Sequence, residues 1–311
     1  MKRRNFFAYS ILFLSGCAGT TVAETSLRQT SNLSQSSDSS QTSSLSQMPE
    51  RPTTLRFAVT DLSGLETLEQ DFGPFRVALE SVLEIPITFY PVSNYSAAAP
   101  ALLANDLDLA LAGPSEYLLL RGRAQAEPLI QVSRSNYYSV IMVRADSGIK
   151  TLSDLKGQTI SMHKEGSTAG HIFPMKLLMD AGVKPEELQI KMLGDQGVDA
   201  LLAGDVAAWT SSHRRYVEFV KDQGLDQEII ILSQGEPLPG DIFVANPSLG
   251  ADFIQELRTT MLTHHEMLLT ALASSPANQK YSNSRMVAAQ DSDYETMRSI
   301  YQAIGLESAI Q

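Results

Sequence analysis

The sequence predicts an α/β protein of two lobes joined by two crossing segments. Short apolar runs alternate with stretches of helical spacing from residue 55 onward, and this strand-helix grammar occurs twice, separated by extended chain. A chain of 311 residues at 43% hydrophobic and 19% charged also exceeds what one core usually fills. The formal net charge of -11, from 24 Lys+Arg and 35 Asp+Glu, supplies no basic field to neutralise a nucleic-acid backbone. DNA and RNA are therefore not expected as partners. The single cysteine, Cys17, excludes an internal disulfide framework.

The first lobe opens with Leu55 to Thr60, a short apolar run closed by Asp61, Ser63 and Gly64, which suits a buried strand. After Gly73-Pro74, the spacing of Phe75, Leu79, Val82 and Leu83 predicts a helix that stops before Ile85-Pro86. Ile87 to Val92 reads as a second strand, Asn94 to about Asn105 as an alanine-rich helix, and Leu107 to Ala112 as a third strand ending at Gly113-Pro114. Strands alternating with helices imply parallel pairing with right-handed crossovers. After extended chain, strands are expected at 138–144, 159–163, 189–193, 206–210 and 228–232. Helices are expected at 152–157, 175–181, 198–204 and 213–223 between them, and from 251 onward with a Ser/Asn-rich interruption before 294–304. The chain then crosses between lobes near 134–143 and 235–245, giving lobe 1 as 55–137 plus 239–311 and lobe 2 as 138–238. A cleft at the crossing is a favoured place for a small ligand.

The N-terminus reads as an address. Lys2, Arg3 and Arg4 precede the apolar run Phe6 to Gly16, whose 11 residues fall well short of the ~20 that a membrane-spanning helix needs. The run ends in Leu14-Ser15-Gly16-Cys17, which resembles the lipobox of bacterial lipoproteins, so residues 1–17 are expected to be a signal peptide with Cys17 lipidated. An ordinary secretory signal with an incidental cysteine is the alternative. From Ala18 to Thr54, 21 of 37 residues are Ser, Thr or Gln, and no core can form there. Residues 18–54 are expected to be a disordered linker with a reach on the order of 30 Å.

Residues Tyr137 to Gly170, YYSVIMVRADSGIKTLSDLKGQTISMHKEGSTAG, resemble the periplasmic phosphonate- and phosphite-binding proteins of ABC importers. The features run in that family's order: a strand ending in a basic residue, Asp146 to Ile149, the Leu152-Ser153-Asp154-Leu155-Lys156-Gly157 turn, and a strand leading to a Ser-Thr helix start. The likeness reaches upstream to Asn94-Tyr95 and Asp106 to Ala110, and downstream to Pro239-Gly240-Asp241, covering most of 55–250. It implies the type II periplasmic binding protein fold and capture of a small phosphorus oxyanion for an ABC permease. Together with the lipobox at Cys17, the expectation is a lipid-anchored monomer on the periplasmic face of the inner membrane, or on the outer face of a single-membrane cell.

Ser167 and Thr168 follow a strand and open a helix, so their hydroxyls and the free N-H groups of Thr168 and Ala169 can converge on an anion. This would be an oxyanion cradle without a cationic side chain; alternatively Ser167 is a plain N-cap. The resemblance assigns Asp241 as an acidic ligand residue that accepts a hydrogen bond from an acidic O-H retained by the ligand, and Tyr95 as a ligand tyrosine of the first lobe. Their alternatives are a turn aspartate after Pro-Gly and a packing tyrosine. The chain departs from the family where a histidine is usual: it has Gly194-Asp195-Gln196-Gly197, with Gln196 the expected substitute. Ser211, Ser212, His213 and Arg214 stand where aminoalkylphosphonate binders place an acid for the ligand's amino group. A second aromatic is also missing near Ala112 and Gly113, with Tyr117 a few residues on. Phosphite or methylphosphonate therefore suits the chain better than an aminoalkylphosphonate, with phosphate left open.

Motifs for nucleotide hydrolysis, zinc proteolysis and the common serine hydrolase elbow are absent from the sequence. No catalytic residue, metal or cofactor is expected. His163 and His171 flank the Ser-Thr loop and read as structural or solvent-facing, His264 and His265 as helix-face residues, and Trp209 as packing. The rival ligands on the same fold are a sulfonate and a heterocyclic vitamin precursor, and a rival role is a sensory lipoprotein that presents its ligand to a receptor.

Overall fold

The computed structural model describes residues 51–62 and 64–311. In chain order they form β1 (Leu55–Val59), α1 (Leu65–Leu83), β2 (Ile87–Phe89), α2 (Ala98–Leu103), β3 (Leu109–Ala112), α3 (Pro114–Ala124), β4 (Glu127–Val132) and β5 (Ser139–Arg144). Next come β6 (Thr159–Met162), α4 (Phe173–Asp180), β7 (Gln189–Met192), α5 (Gly197–Ala203), β8 (Ala208–Ser212), α6 (His213–Tyr216) and β9 (Ile229–Gln234). The chain finishes with β10 (Asp241–Ala245), α7 (Ala251–Thr263), α8 (His265–Leu272), β11 (Met286–Ala288) and α9 (Glu295–Ala303). Single π-helical turns at Thr168–Ile172 and Val217–Lys221 lead into α4 and continue α6.

Two sheets divide these strands. The first runs β11-β4-β10-β3-β1-β2 and the second β7-β6-β8-β5-β9. The parallel pairing implied by strand-helix alternation holds for β1 with β2 and β3, and for β6 with β7 and β8. It fails where the chain changes lobe. β10 returns from the second sheet and inserts antiparallel between β3 and β4, and β5 pairs antiparallel with β8 and β9. β3 and β10 are buried along their whole length, because helices cover both faces of the first sheet. On one face Phe57, Phe75 and Phe243 meet beneath α1, α7 and α8, with Phe75 and Phe243 stacked at 5.1 Å between centroids. On the other face α2, α3 and α9 pack over Ala110, Ala112 and Ile242.

Three expectations need correction. α1 begins ten residues before the expected start and runs through Pro74. The missing proline N-H is outweighed by burial of Leu68 and Phe72 and by anchoring of Asp71, which accepts from Ser275 Oγ at 3.0 Å and, through its carbonyl, from Asn278 Nδ2 at 2.7 Å. The chain after Gly113-Pro114 is not extended: Pro114 opens α3, and β4 follows. Every residue from Pro114 to Leu120 is buried, so α3 carries no one-sided apolar stripe for a periodicity reading to find. Finally, Arg51, placed in the expected linker, is tied to the body. Its Nη2 donates to Leu83 O at 2.7 Å and to Glu256 Oε1 at 2.8 Å.

The signal segment, Cys17 and the linker to residue 50 lie outside the described residues. Among the described residues no helix is long and apolar enough to cross a membrane.

Residues 133–138 and 235–240 carry the chain between the sheets. At the end of the second passage, Asp241 pairs with Val132 across the β10-β4 ladder. The passage is tight there, because a Cβ on Gly240 would stand inside contact distance of the Val132 carbonyl and of Ser133 Cα. Backbone cannot step aside as a flexible side chain can. Gly240→Ala is therefore expected to lower unfolding free energy by about 1–3 kcal/mol, the usual cost of overpacking, as read from the urea midpoint of the purified protein. An unchanged midpoint would mean that the crossing yields freely.

Candidate functional site

A cavity of about 90 Å³ lies where the two sheets face each other across the crossing segments. Lobe 2 supplies Ser167, Thr168, Ala169 and Gly170 to its wall, and lobe 1 supplies Tyr95, Glu116, Arg134 and Asp241. Ligands of drug size occupy roughly 300–1,000 Å³, so this space suits a solute of a few heavy atoms.

Neighbouring strands aim the loop that follows β6. Ser139 Oγ on β5 donates to Ala169 O at 2.7 Å, and Thr210 Oγ1 on β8 donates to Gly170 O at 2.6 Å. His163 N also donates to Gly170 O, at 3.0 Å. Because each peptide is planar, the pinned Ala169 carbonyl turns the Gly170 N-H of the same peptide the opposite way, whereas the N-H that shares a peptide with Gly170 O, that of His171, is spent on Ser167 O. The first bonds inside this turn are made by His171 and Ile172 to Ser167 O, so the amides of Thr168, Ala169 and Gly170 precede them and are left for an outside acceptor. Gly170 must lack a side chain, since a Cβ there would collide with His163 Cβ. Ser167 makes no side-chain capping bond, so its hydroxyl is not spent as an N-cap. The Thr168 hydroxyl accepts from Ser115 N on α3 at 3.1 Å and thereby links the lobes while keeping its own hydrogen to donate. Of the two histidines, His171 is structural: its Nδ1 accepts from Gly166 N at 3.0 Å, and burial lowers its pKa. His163 lines the cavity, with Nε2 3.4 Å from Asp195 Oδ1.

The expectation of a cradle free of cations is overturned. Arg134, Arg214, Arg215 and Lys280 all line the cavity, against the carboxyls of Asp61, Glu116 and Asp241. Asp241 organises this charge. Its Oδ1 lies 3.3 Å from Arg134 Nη1, and its Oδ2 accepts from Tyr281 Oη at 2.5 Å with Lys280 Nζ 3.5 Å away. Burial pushes the Asp241 pKa up, but Arg134, Lys280 and the Tyr281 hydroxyl outweigh it and hold the group below its ordinary value. The Arg134 guanidinium also lies 3.6 Å over the Tyr137 ring. Burial keeps Tyr95 protonated far above neutral pH, so its phenol is available as a donor, and its ring covers Gly166 of the opposite lobe.

Four buried polar atoms of residues lining the cavity have no hydrogen-bond partner among the described residues: Glu116 Oε2, His163 Nδ1, Ser211 Oγ and Arg214 Nε. Orphans of this kind are costly and uncommon in folded proteins, and a cluster of them marks a place where a ligand completes the bonding.

Tyr95, Ser167, Thr168, Ala169 and Asp241 are thus brought to one cavity, and Gln196 is not. Gly194 takes a left-handed turn at φ 60°, Asp195 turns inward to His163 and Arg215, and Gln196 is left exposed ahead of α5. Trp209 packs in the lobe 2 core, as expected, and donates to Gly194 O at 3.0 Å. Sequence reasoning missed Arg134, Glu116 and Lys280. Arg134 sits in a crossing segment that had been located, and its position there was the one available signal. Acidic groups also face the cavity despite the Ser-Ser-His-Arg run, namely Asp61 and Glu116. Among the described residues no cluster of His, Cys, Asp and Glu could hold a metal ion.

Comparison with known proteins places the fold and the family. The chain is 24% identical over 227 residues, 67% of its own length and 71% of the other's, to the phosphate-import protein PhnD of Mycolicibacterium smegmatis. It is 28% identical over 163 residues, 49% of its length and 54% of the other's, to the probable ABC transporter phosphite binding protein PhnD1 of Prochlorococcus marinus. The structure of Prochlorococcus marinus PhnD1 in complex with methylphosphonate shares the fold, with a TM-score of 0.66 at 18% identity over 82% of this chain and 99% of that one. Residues 57–294 match the family described as "ABC transporter, phosphonate, periplasmic substrate-binding protein". With its two-lobed α/β fold and interlobe cavity, the chain belongs to that family of periplasmic phosphonate-binding proteins of ABC transporters.

Proposed function

We propose that this protein captures a small phosphorus oxyanion, phosphite, methylphosphonate or phosphate, between its lobes and delivers it to a membrane permease as a monomer tethered through a lipid on Cys17. The observation that carries the reading is the set of four unpartnered buried polar atoms around a cavity of about 90 Å³ whose lining cations outnumber its ionised carboxylates. A heterocyclic vitamin precursor would need more room and an aromatic sandwich. The names of the relatives, one a phosphate importer and one a phosphite binder, support the same ligand class.

In this reading Ser167, Thr168 and the amides of Thr168 and Ala169 grip the anion from lobe 2, and Tyr95 donates from lobe 1. Asp241 holds Arg134 and Lys280 at the wall and offers a remaining lone pair to an acidic O-H of the ligand. Lobe 1 (55–137 and 239–311) and lobe 2 (138–238) close on the ligand because bonds to both exist only in the closed state. The site serves binding and has no catalytic role.

Removing the Ser167 hydroxyl deletes one bond to a charged ligand, which contributes about 1.5–3 kcal/mol. Ser167→Ala should therefore weaken binding roughly 10- to 100-fold in calorimetric titrations of phosphite, methylphosphonate and phosphate, and unchanged affinity for all three would move the cradle elsewhere. Asp241→Asn leaves the Arg134 charge buried and unpaired and should cost about 3–5 kcal/mol of stability. Because the Asp241 pKa is depressed in the fold, its contribution is present above the unfolded value near ~4 and is lost as pH falls through the folded value. Denaturant titrations of the parent protein should show that acid loss, and the Asn variant should lack it; a matching acid loss in both would assign it to other groups. Cys17→Ala should shift the protein from the membrane to the soluble cell fraction, and continued membrane retention would refute the lipid tether.

A further inference from the structure

Glu116 is a carboxyl for which the ordinary uses are closed. It sits third in α3, after Gly113 and Pro114, and is 4% exposed. Gly113 makes room for it: a Cβ on that glycine would lie 2.6 Å from Glu116 Oε2. Among the described residues no cation forms an ion pair with Glu116, since Arg134 engages Asp241, and Lys280 lies between Asp241 and Asp61. The residue lines the cavity, and its buried Oε2 has no hydrogen-bond partner among the described residues. A buried carboxylate in that position would repel an oxyanion; a buried carboxylic acid has a hydrogen to give it.

We propose that Glu116, held as a neutral carboxylic acid in the cavity wall, selects the protonation state of the ligand by donating its O-H to an unprotonated oxygen of the captured oxyanion. This rests on the oxyanion reading given above and adds to it a specificity-determining residue.

The surroundings favour the neutral form on balance. The carboxylates of Asp61, after β1, and Asp241, on β10, face it, as do the phenols of Tyr95, Tyr137 and Tyr301. Burial is the main cause that pushes its pKa up to about 8; Asp61 and Asp241 act the same way, while its own backbone N-H and Lys280 oppose them. Arg134, Arg214, Arg215 and His163 complete the walls. Arg214 is paired with Glu218 and Arg215 with Asp195, so with Glu116 neutral Arg134 and Lys280 balance Asp61 and Asp241, whereas an ionised Glu116 would leave the wall net negative against an incoming oxyanion. Such a ligand adds negative charge beside Glu116 and holds its proton more firmly. An ammonium-bearing ligand would do the reverse and expel it.

The direction of proton movement is therefore the test. Phosphite is titrated into the full protein and into Glu116→Gln by calorimetry at pH 8, in buffers of differing ionisation enthalpy. The parent protein should take up about half a proton more than the variant, because the group is half protonated there when free. Above pH 8 its affinity should fall roughly tenfold per pH unit relative to the variant, whose amide N-H₂ is a weaker donor, costs several-fold in affinity at pH 6, and does not titrate. Equal proton uptake in the two proteins overturns the assignment, and net release from Glu116 overturns it in favour of an ammonium ligand. If Glu116→Gln does not fold, infrared spectra of the parent protein decide: the C=O stretch of a buried carboxylic acid should be present at pH 7, and its absence overturns the assignment. Binding of phosphite with a Glu116-independent pH profile refutes only this inference. A parent protein that binds no phosphorus oxyanion at pH 6 refutes the oxyanion reading and this inference together.

Discussion

Asp241 stands at the first residue of a buried strand, and the charge pattern of the cleft follows from what it can hold. A guanidinium and an ammonium are costly to take from water, so Arg134 and Lys280 can line an enclosed cavity only because one carboxylate meets both and Tyr281 satisfies it further. Its position is in turn a matter of backbone, since the Pro-Gly passage lets β10 enter beside Val132 at close range. The strand that closes the first sheet thus also sets the electrostatics of the site.

The opposite jaw works by a different principle. There the Ala169-Gly170 peptide is fixed from behind by the Ser139 hydroxyl on β5, and the Thr210 hydroxyl on β8 holds the next carbonyl. Dipoles fixed in this way need no reorientation when an anion arrives, and they carry no net charge that would have to be buried beforehand. Thr168 joins the two jaws: its oxygen accepts from Ser115 N on α3.

Much of this was legible in the sequence and some was not, for reasons that can be assigned to residues. The Gly166-Ser167-Thr168 sequence after a short apolar run marks a strand-to-helix turn, and turn chemistry is local, so it survives translation into structure. The alternation of strands and helices similarly announced two α/β lobes. Arg134 could not be assigned, because the crossing segment has no periodicity to show which side chains face inward. Lys280 reaches the cavity only through the anchoring of residues 275–281 on Asp71 of α1, a contact more than 200 positions away in sequence. Glu116 was hidden by a helix whose residues from Pro114 to Leu120 are all buried, polar and apolar alike, so no apolar stripe at helical spacing marks it. Gln196 failed by a single position: in the 3-10 turn Gly194–Gln196 successive side chains point about a third of a turn apart, and Asp195 is the one that meets His163 and Arg215.

The bond from Arg51 to Leu83 O also has a mechanical side. The pair it forms with Glu256 is largely solvent-exposed, with side-chain exposures of 48% and 42%, and grips only lightly. Tension drawn through residue 51 would strip that grip first and then meet β1, an interior strand whose ladders to β2 and β3 run along its length. Pulled end-on, those ladders share the load as bonds in shear instead of opening one at a time. Such a pull would be borne by the first sheet, and the crossing segments would be spared the strain.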